Sequence, residues 1–269
     1  MVIYVGQGDP EKSMRLLWTG SVEPENPQVR RGPKAGLTAG SIVAAAIALA
    51  DEGGIDAVSM RAVGQRLGKT PMALYTYVPS KAELIDLMWD TALGELPDDY
   101  DTGEGWRPAL RRWAHDLRAF LLRHPWILDV SGARVGMGPN ETRNQETSAR
   151  ILAGLGLPGA ALMSCIWSVG SFVHGNARPM AETRQAEVVT GVGETEWWLA
   201  RSRMLEEVAP DYAERFPVLT RMAAEGAFDQ VDLEGSYLEA EYDTVFEFGL
   251  ERMLDGLERF IDAHSTREG

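Results

Sequence analysis

Few residues in this chain of 269 can do covalent chemistry. Its one cysteine, Cys165, has no partner for an internal disulfide, and the four histidines His115, His124, His174 and His264 stand in no CxxC, HxxxH or HExxH spacing. No metal or cofactor site is expected. Asp129, His124 and Cys165 could be imagined as a nucleophile set, but they carry no local signature, and Gly136-Met137-Gly138 alone does not make a phosphate loop. An enzyme is not expected. The chemistry that does concentrate is electrostatic. Residues 30–81 hold seven cations (Arg30, Arg31, Lys34, Arg61, Arg66, Lys69 and Lys81) against Asp51, Glu52 and Asp56, whereas the chain as a whole carries a net charge of −14. Beyond position 81 there is no lysine and carboxylates dominate, so contact with a polyanion is confined to the first block.

The elements that must position those cations are helical. Ile42, Val43, Ala46, Ile47 and Ala50 recur at helical spacing after Thr38, and Gly53-Gly54 stops the pattern. Ser59 stands as an N-cap before a short helix ended by Gly68, and Thr70-Pro71 opens another, with Thr as cap and Pro where its missing N–H costs nothing. Two short helices joined by a Gly-containing turn make a helix-turn-helix. Gly64 lets them cross closely, with Val63, Leu67 and Leu74 as the core between them. Ser80 and Glu83 form a capping box for a longer helix that Pro97 ends.

Downstream, helices are expected over residues 106–124, 127–130, 140–155, 158–176, 194–208 and 234–264, and Val2 to Val5 is the only strand candidate. The fold class is all-α: an N-terminal three-helix helix-turn-helix domain plus a larger helical domain. Residues 1–36 read as a flexible extension, docking at most one turn around Met14 to Trp18 and ending in the basic arm. Residues 37–81 form the small domain and 82–269 the large one. Residues 178–193, with Gly191 and Gly193, read as a mobile loop. The longest apolar run, 42–50, is about half a bilayer crossing, and nothing at the start resembles a signal peptide, so a cytoplasmic protein with no membrane partner is expected.

Ser59-Met60-Arg61-Ala62-Val63-Gly64-Gln65-Arg66-Leu67-Gly68-Lys69-Thr70, followed by Leu74-Tyr75-Thr76-Tyr77-Val78 and Ser80-Lys81-Ala82-Glu83-Leu84, resembles the DNA-binding domain of the TetR family of transcriptional regulators. A looser likeness to the tetracycline-repressor subgroup runs through Gly105-Trp106, Val169-Gly170-Ser171-Phe172, residues 246–251 and residues 254–258. The resemblance implies a homodimer bound to a pseudo-palindromic double-stranded operator and released when a small-molecule effector fills the larger domain. A repressor is the expected role; an activator of the same architecture, or a ligand-binding helical protein with no DNA role, are the alternatives.

The same resemblance implies that Arg61 reaches a base or phosphate, that Tyr75 and Tyr77 press on the sugar-phosphate backbone, and that Lys81 meets a phosphate. Thr70 adds a hydroxyl, and Lys69 and Thr76 complete the set. Pro71, Met72 and Ala73, at the reading positions, favour apolar contact with thymine methyls. Arg30, Arg31 and Lys34 could enter the adjoining minor groove. Trp113 and Leu117 occupy positions that face the drug in the tetracycline repressor, and Trp167, Ser171 and His174 share one helix face, so these five are the effector-binding candidates. The magnesium-chelating side chains of that repressor are absent around residues 133–139 and at Pro179, which points to a largely apolar or aromatic effector. In the last helix Phe246, Leu250, Met253, Leu254, Leu257 and Ile261 form the apolar stripe expected to join two subunits in a four-helix bundle with the helix that begins at residue 158.

Overall fold

The structure, a computed structural model, describes residues 2–21, 37–228 and 236–265. Arg30, Arg31 and Lys34 lie outside the described residues. The chain is all-α, with thirteen α-helices and one two-stranded pairing among the described residues. It divides into two compact units, Met1–His174 with Arg252–Gly269, and Gly175–Glu251.

In the first unit, β1 (Ile3–Tyr4) and α1 (Pro10–Thr19) precede α2 (Ala39–Gly53), α3 (Met60–Leu67), α4 (Pro71–Tyr75) and α5 (Lys81–Leu93). There follow α6 (Trp106–Arg123), α7 (Trp126–Asp129), β2 (Val130–Ser131), α8 (Pro139–Leu152) and the start of α9 (Gly159–Thr190). Thr38 and Ser41 cap α2 reciprocally, each side chain taking the other's backbone N–H at 3.0 Å. The core runs from Ile42, Val43 and Ala46 of α2 through Leu84 and Met88 of α5 to Leu110, Phe120 and Leu121 of α6. At the junction of α2 and α6 the buried His124 offers Nδ1 to Asp51 at 2.7 Å and Nε2 to Glu95 at 3.1 Å, and Trp126 donates to the same Asp51 oxygen at 3.0 Å.

The extension before α2 departs from the expectation of one docked turn. It forms the ten-residue α1 with Asp9 as N-cap, and β1 pairs in parallel with β2. The reason lies on α5, whose buried carboxylates accept backbone N–H groups of this segment; no local pattern could reveal distant acceptors.

The second unit holds the rest of α9, then α10 (Glu194–Val208), α11 (Tyr212–Arg215), α12 (Pro217–Ala224) and the start of α13 (Tyr237–Ser265). The loop expected over 178–193 is helix as far as Thr190, and only residues 191–193 break it. Met180 and Ala181 are buried and anchor it, the helix continues through Pro179, and Arg184 pairs with Glu239 at 2.9 Å, so few apolar anchors are enough to hold regular backbone here. Glu194 accepts from Ser236 Oγ at 2.6 Å and from Leu238 N at 2.9 Å, which caps the start of α13. The short α11 and α12 lack the length for a readable period. No helix among the described residues is long and apolar enough to cross a membrane.

Candidate functional site

The cationic head is built by local rules. Ser59 Oγ accepts the N–H of Ala62 at 3.1 Å and starts α3; Gly68, at φ 64°, ends it in the left-handed region that glycine tolerates. The turn into α4 is tight because a β-carbon on Gly64 would lie 2.7 Å from the Lys69 carbonyl oxygen, and Lys69 N donates to the Gly64 carbonyl at 2.8 Å. Thr70 has the extended backbone of an N-cap, but its hydroxyl makes no capping bond. Pro71 fills the first helical position.

Packing then sorts the side chains. Val63, Leu74 and Val78 are fully buried and Leu67 half-buried, so α3 and α4 are held from inside. Arg61, Lys69, Thr70, Met72, Tyr75 and Thr76 are exposed, and Pro71, Ala73, Tyr77 and Lys81 are half-buried. Met72 is 74% exposed, a cost in water that an apolar partner such as a thymine methyl would recover. Tyr75 is exposed and is not a core residue. Of the cations, Arg66 is spent internally: both guanidinium arms meet Glu52 at 2.7 Å, pinning α3 to α2, and the hydrogen bonds hold the Glu52 carboxyl below its ordinary value. Arg61, Lys69 and Lys81 have no such pairing with any described carboxylate.

Ser80 caps α5 through Ala82 N at 3.0 Å, but the expected capping box is not closed as the residue types suggested. Glu83 accepts the Ser80 hydroxyl and the N–H of Asp9 at 2.9 Å instead of the Ser80 backbone N–H. Further along α5, Asp86 accepts from Gly6 N and Ser13 Oγ, and Asp90 from Asn140 N, Asn140 Nδ2 and Glu141 N. Burial raises the carboxyl groups of Asp86 and Asp90 above the usual carboxylate value; the donors offset only part of that desolvation. A raised value in the folded state means that the folded chain binds protons the unfolded chain has released. The stability from this source is complete below the unfolded value of about 4 and is lost as pH rises through the raised one. Asp86→Asn, whose amide still satisfies Gly6 and Ser13, is therefore expected to flatten the decline of Tm on going from about pH 4 to neutrality. Equal slopes for parent and variant would refute the assignment.

In the larger helical region the structure separates the five effector candidates. Trp113 and Leu117 face inward on α6 with Leu110 and Phe120, and Trp113 is only 4% exposed. The tip of its ring lies 3.7 Å from where a Gly170 β-carbon would stand, so the indole packs against α9 at ordinary van der Waals distance. Its Nε1–H is buried without a hydrogen-bond partner, as is Asn144 Oδ1 on α8. Trp167, Ser171 and His174 do share one face, as their spacing predicts, but it is the outer one: Trp167 is 63% exposed, while Ile166, Val169 and Val173 point inward. Sequence reasoning missed the buried polar face of α8, where Thr147 bonds to Asp98 O at 3.0 Å and Ser148 to Gln145 O at 2.9 Å. The helical offset of Asn144, Thr147, Ser148 and Ile151 was its signal.

The stripe on α13 also needs correction. Phe246, Leu250, Leu254 and Ile261 are buried within one chain, so these four serve as internal core, while Met253 and Leu257 are half-buried and keep some exposed area. The large apolar groups that α13 does expose are Val245, Phe248 and Phe260. As for a nucleophile set, His124 already has a carboxylate on each ring nitrogen, and burial pushes the Cys165 thiol up, opposite to activation. The described residues contain no cluster of three or more His, Cys, Asp or Glu able to hold a metal ion.

The chain is similar to known proteins over almost its whole length. The family of bacterial regulatory proteins of the tetR type matches residues 42–88, and the tetracyclin repressor-like C-terminal domain matches residues 97–261. The HTH-type transcriptional repressor DrrR1 of Streptomyces coeruleorubidus is 37% identical over 257 residues, covering 95% of this chain and 88% of that protein. Tetracycline repressor protein class G of Vibrio anguillarum is 25% identical over 233 residues, 83% of this chain and 94% of that one. Among solved structures, the TetR family protein ActR of Streptomyces coelicolor in complex with actinorhodin superimposes with a TM-score of 0.65 at 26% identity, covering 83% of this chain and 96% of that chain.

Proposed function

Because the chain belongs to the TetR family, we propose that it is an effector-released transcriptional repressor that binds a pseudo-palindromic operator as a homodimer. The observation that carries this reading is the sorting of the α3–α4 pair. Its apolar side chains are consumed in its own small core, while Arg61, Lys69, Thr70, Met72, Tyr75 and Thr76 stand on the surface with Pro71, Ala73, Tyr77 and Lys81 at its margin. A short helix with its N-terminal half free suits base edges in the major groove, and cations and tyrosines around it suit the phosphates. Two such heads spaced about one helical turn apart require a dimer. The exposed faces of α9, with Trp167 beside Ser164, Ser168 and Ser171, and of α13, with Val245 and Phe248, are the surfaces for it.

The effector belongs against Trp113 and Leu117. An unpartnered indole N–H in an apolar setting favours a flat, largely apolar ligand that brings at least one hydrogen-bond acceptor. Support comes from the ActR complex with actinorhodin, which makes that compound the first probe to try. Filling the site would shift α5, which begins at the reading head, and a coupling of about 1–3 kcal/mol is typical of such relays.

The test is titration of a duplex from the DNA flanking the chain's own gene. Binding is expected to fall steeply with salt, and Arg61→Ala to weaken it by about 1–3 kcal/mol, roughly fivefold to 150-fold. Affinity indifferent to salt would remove the reading. Trp113→Phe, which keeps an aromatic ring but deletes the N–H together with the five-membered half of the indole, is expected to raise the concentration of probe needed for release by about fivefold to tenfold with operator affinity unchanged. An unaltered response would place the effector elsewhere.

A further inference from the structure

Glu83, Asp86 and Asp90 lie three and four residues apart on one face of α5, and all three are buried. Buried carboxylates ordinarily answer to cations. Here the bonds to Glu83 and Asp86 come from N–H and O–H groups, most of them in the segment that precedes the reading head. Asp86 takes the N–H of Gly6 at 2.8 Å and the hydroxyl of Ser13 at 2.7 Å, and Glu83 takes the N–H of Asp9 at 2.9 Å. Asp90, the third of the row, takes the N–H groups of Asn140 and Glu141, both at 2.9 Å, at the start of α8.

The segment is fitted to this face. A β-carbon on Gly8 would stand 2.8 Å from Glu83 Oε1 and 2.9 Å from Ser13 Oγ, and one on Gly136 would stand 2.8 Å from Val5 Cγ1. Val5 and Leu16 are buried under it. Its far side is tied to the connection between β2 and α8. Tyr4 pairs with Ser131, Trp18 Nε1 donates to the Met137 carbonyl at 2.9 Å, and Met137 holds a left-handed φ of 56° with its own N–H on Glu141 at 2.7 Å. Residues 2–21 thus bridge α5 and the connection between β2 and α8.

We propose that residues 2–21 are a latch that holds α5, and with it the reading head, in the operator-fitting position, and that effector-driven release requires this latch to give way. The inference rests on the repressor reading above. Buried, directional bonds to a desolvated carboxylate are either made or broken, which gives the segment two discrete states in place of a graded drift. A short segment with few apolar anchors can detach without global unfolding.

Ser13→Asp places a second carboxylate against Asp86, and the β-carbon of Gly8→Ala would stand 2.8 Å from Glu83 Oε1 and 2.9 Å from Ser13 Oγ and force a shift there; both substituted positions lie outside α5 and the head. In the 269-residue chain each is expected to weaken binding of the promoter duplex by about tenfold, to speed hydrogen exchange of residues 84–88, and to leave the oligomeric mass unchanged. Adding Asp86→Asn to Ser13→Asp removes the repulsion and is expected to restore both readouts. Faster exchange in residues 5–16 with duplex affinity within twofold of the parent overturns the latch. So does a chain lacking residues 1–21 that binds like the parent. Failure of the repressor reading shows differently: the unaltered chain itself then ignores the duplex.

Discussion

Gly64→Ala is expected to lower operator affinity by about a hundredfold or more while leaving most of the helical signal intact. The added β-carbon would sit 2.7 Å from the Lys69 carbonyl oxygen and 3.4 Å from Pro71 N. Both neighbours are backbone, so no rotamer change relieves the clash. The chain must open the turn, lose the 2.8 Å bond from Lys69 N to the Gly64 carbonyl, or slide α4 away from α3. Overpacking of this kind costs about 1–3 kcal/mol of stability. The functional loss is larger because Lys69, Thr70, Met72, Tyr75 and Thr76 all ride on the displaced piece, and misplacement by about 1 Å spoils several contacts at once. Gel shift with the promoter duplex and a thermal melt check the two effects separately. Duplex affinity within a few-fold of the parent would show that the α3–α4 turn does not set the reading surface.

Phe248→Asp carries the second large expectation, conversion to a monomer with operator affinity lowered by about two orders of magnitude or more. Phe248 is 66% exposed in the single chain, so the substitution gives up little buried apolar area, and its cost in stability within one chain is expected to be small beside its effect on association. Across an apolar contact between subunits it buries a charge on each side. Loss of the dimer turns binding of the second half-site back into a bimolecular event, and the avidity lost is of order 10²–10⁴. Leu250→Ala is the control: this leucine is fully buried inside one chain, and its truncation is expected to cost about 2–5 kcal/mol of stability with no specific effect on association. Sedimentation analysis separates the outcomes. A Phe248→Asp variant that sediments with the parent would move the subunit contact off this face of α13.

The two expectations differ in how they could be read from the chain alone. The Gly64 turn is legible because each of its causes lies within twelve residues: the Ser59 cap, Gly68 at a positive φ, and Pro71 at a first helical position. The α13 stripe has the expected period, and four of its six residues are covered within one chain. A helical repeat reports that one face is buried, but not whether its cover is the same chain or another, and Phe246, Leu250 and Leu254 prove to be covered at home. Trp167, Ser171 and His174 show the same limit, since spacing put them on one face correctly and said nothing of which way that face turns.

Local signals determined the all-α class, the cationic helix-turn-helix and nearly every long helix, because caps, breakers and the 3.6-residue period act over a few residues and need no partner. Tertiary structure alone decided that residues 2–21 fold onto α5, that Glu83 serves Asp9 and not its own capping box, and that Arg66 is withdrawn from the basic set by Glu52. A buried carboxylate accepts whichever N–H the fold carries to it, over separations of 74 residues for Asp9 and Glu83. Sequence shows that such an acceptor exists; only the folded chain shows which donor arrives.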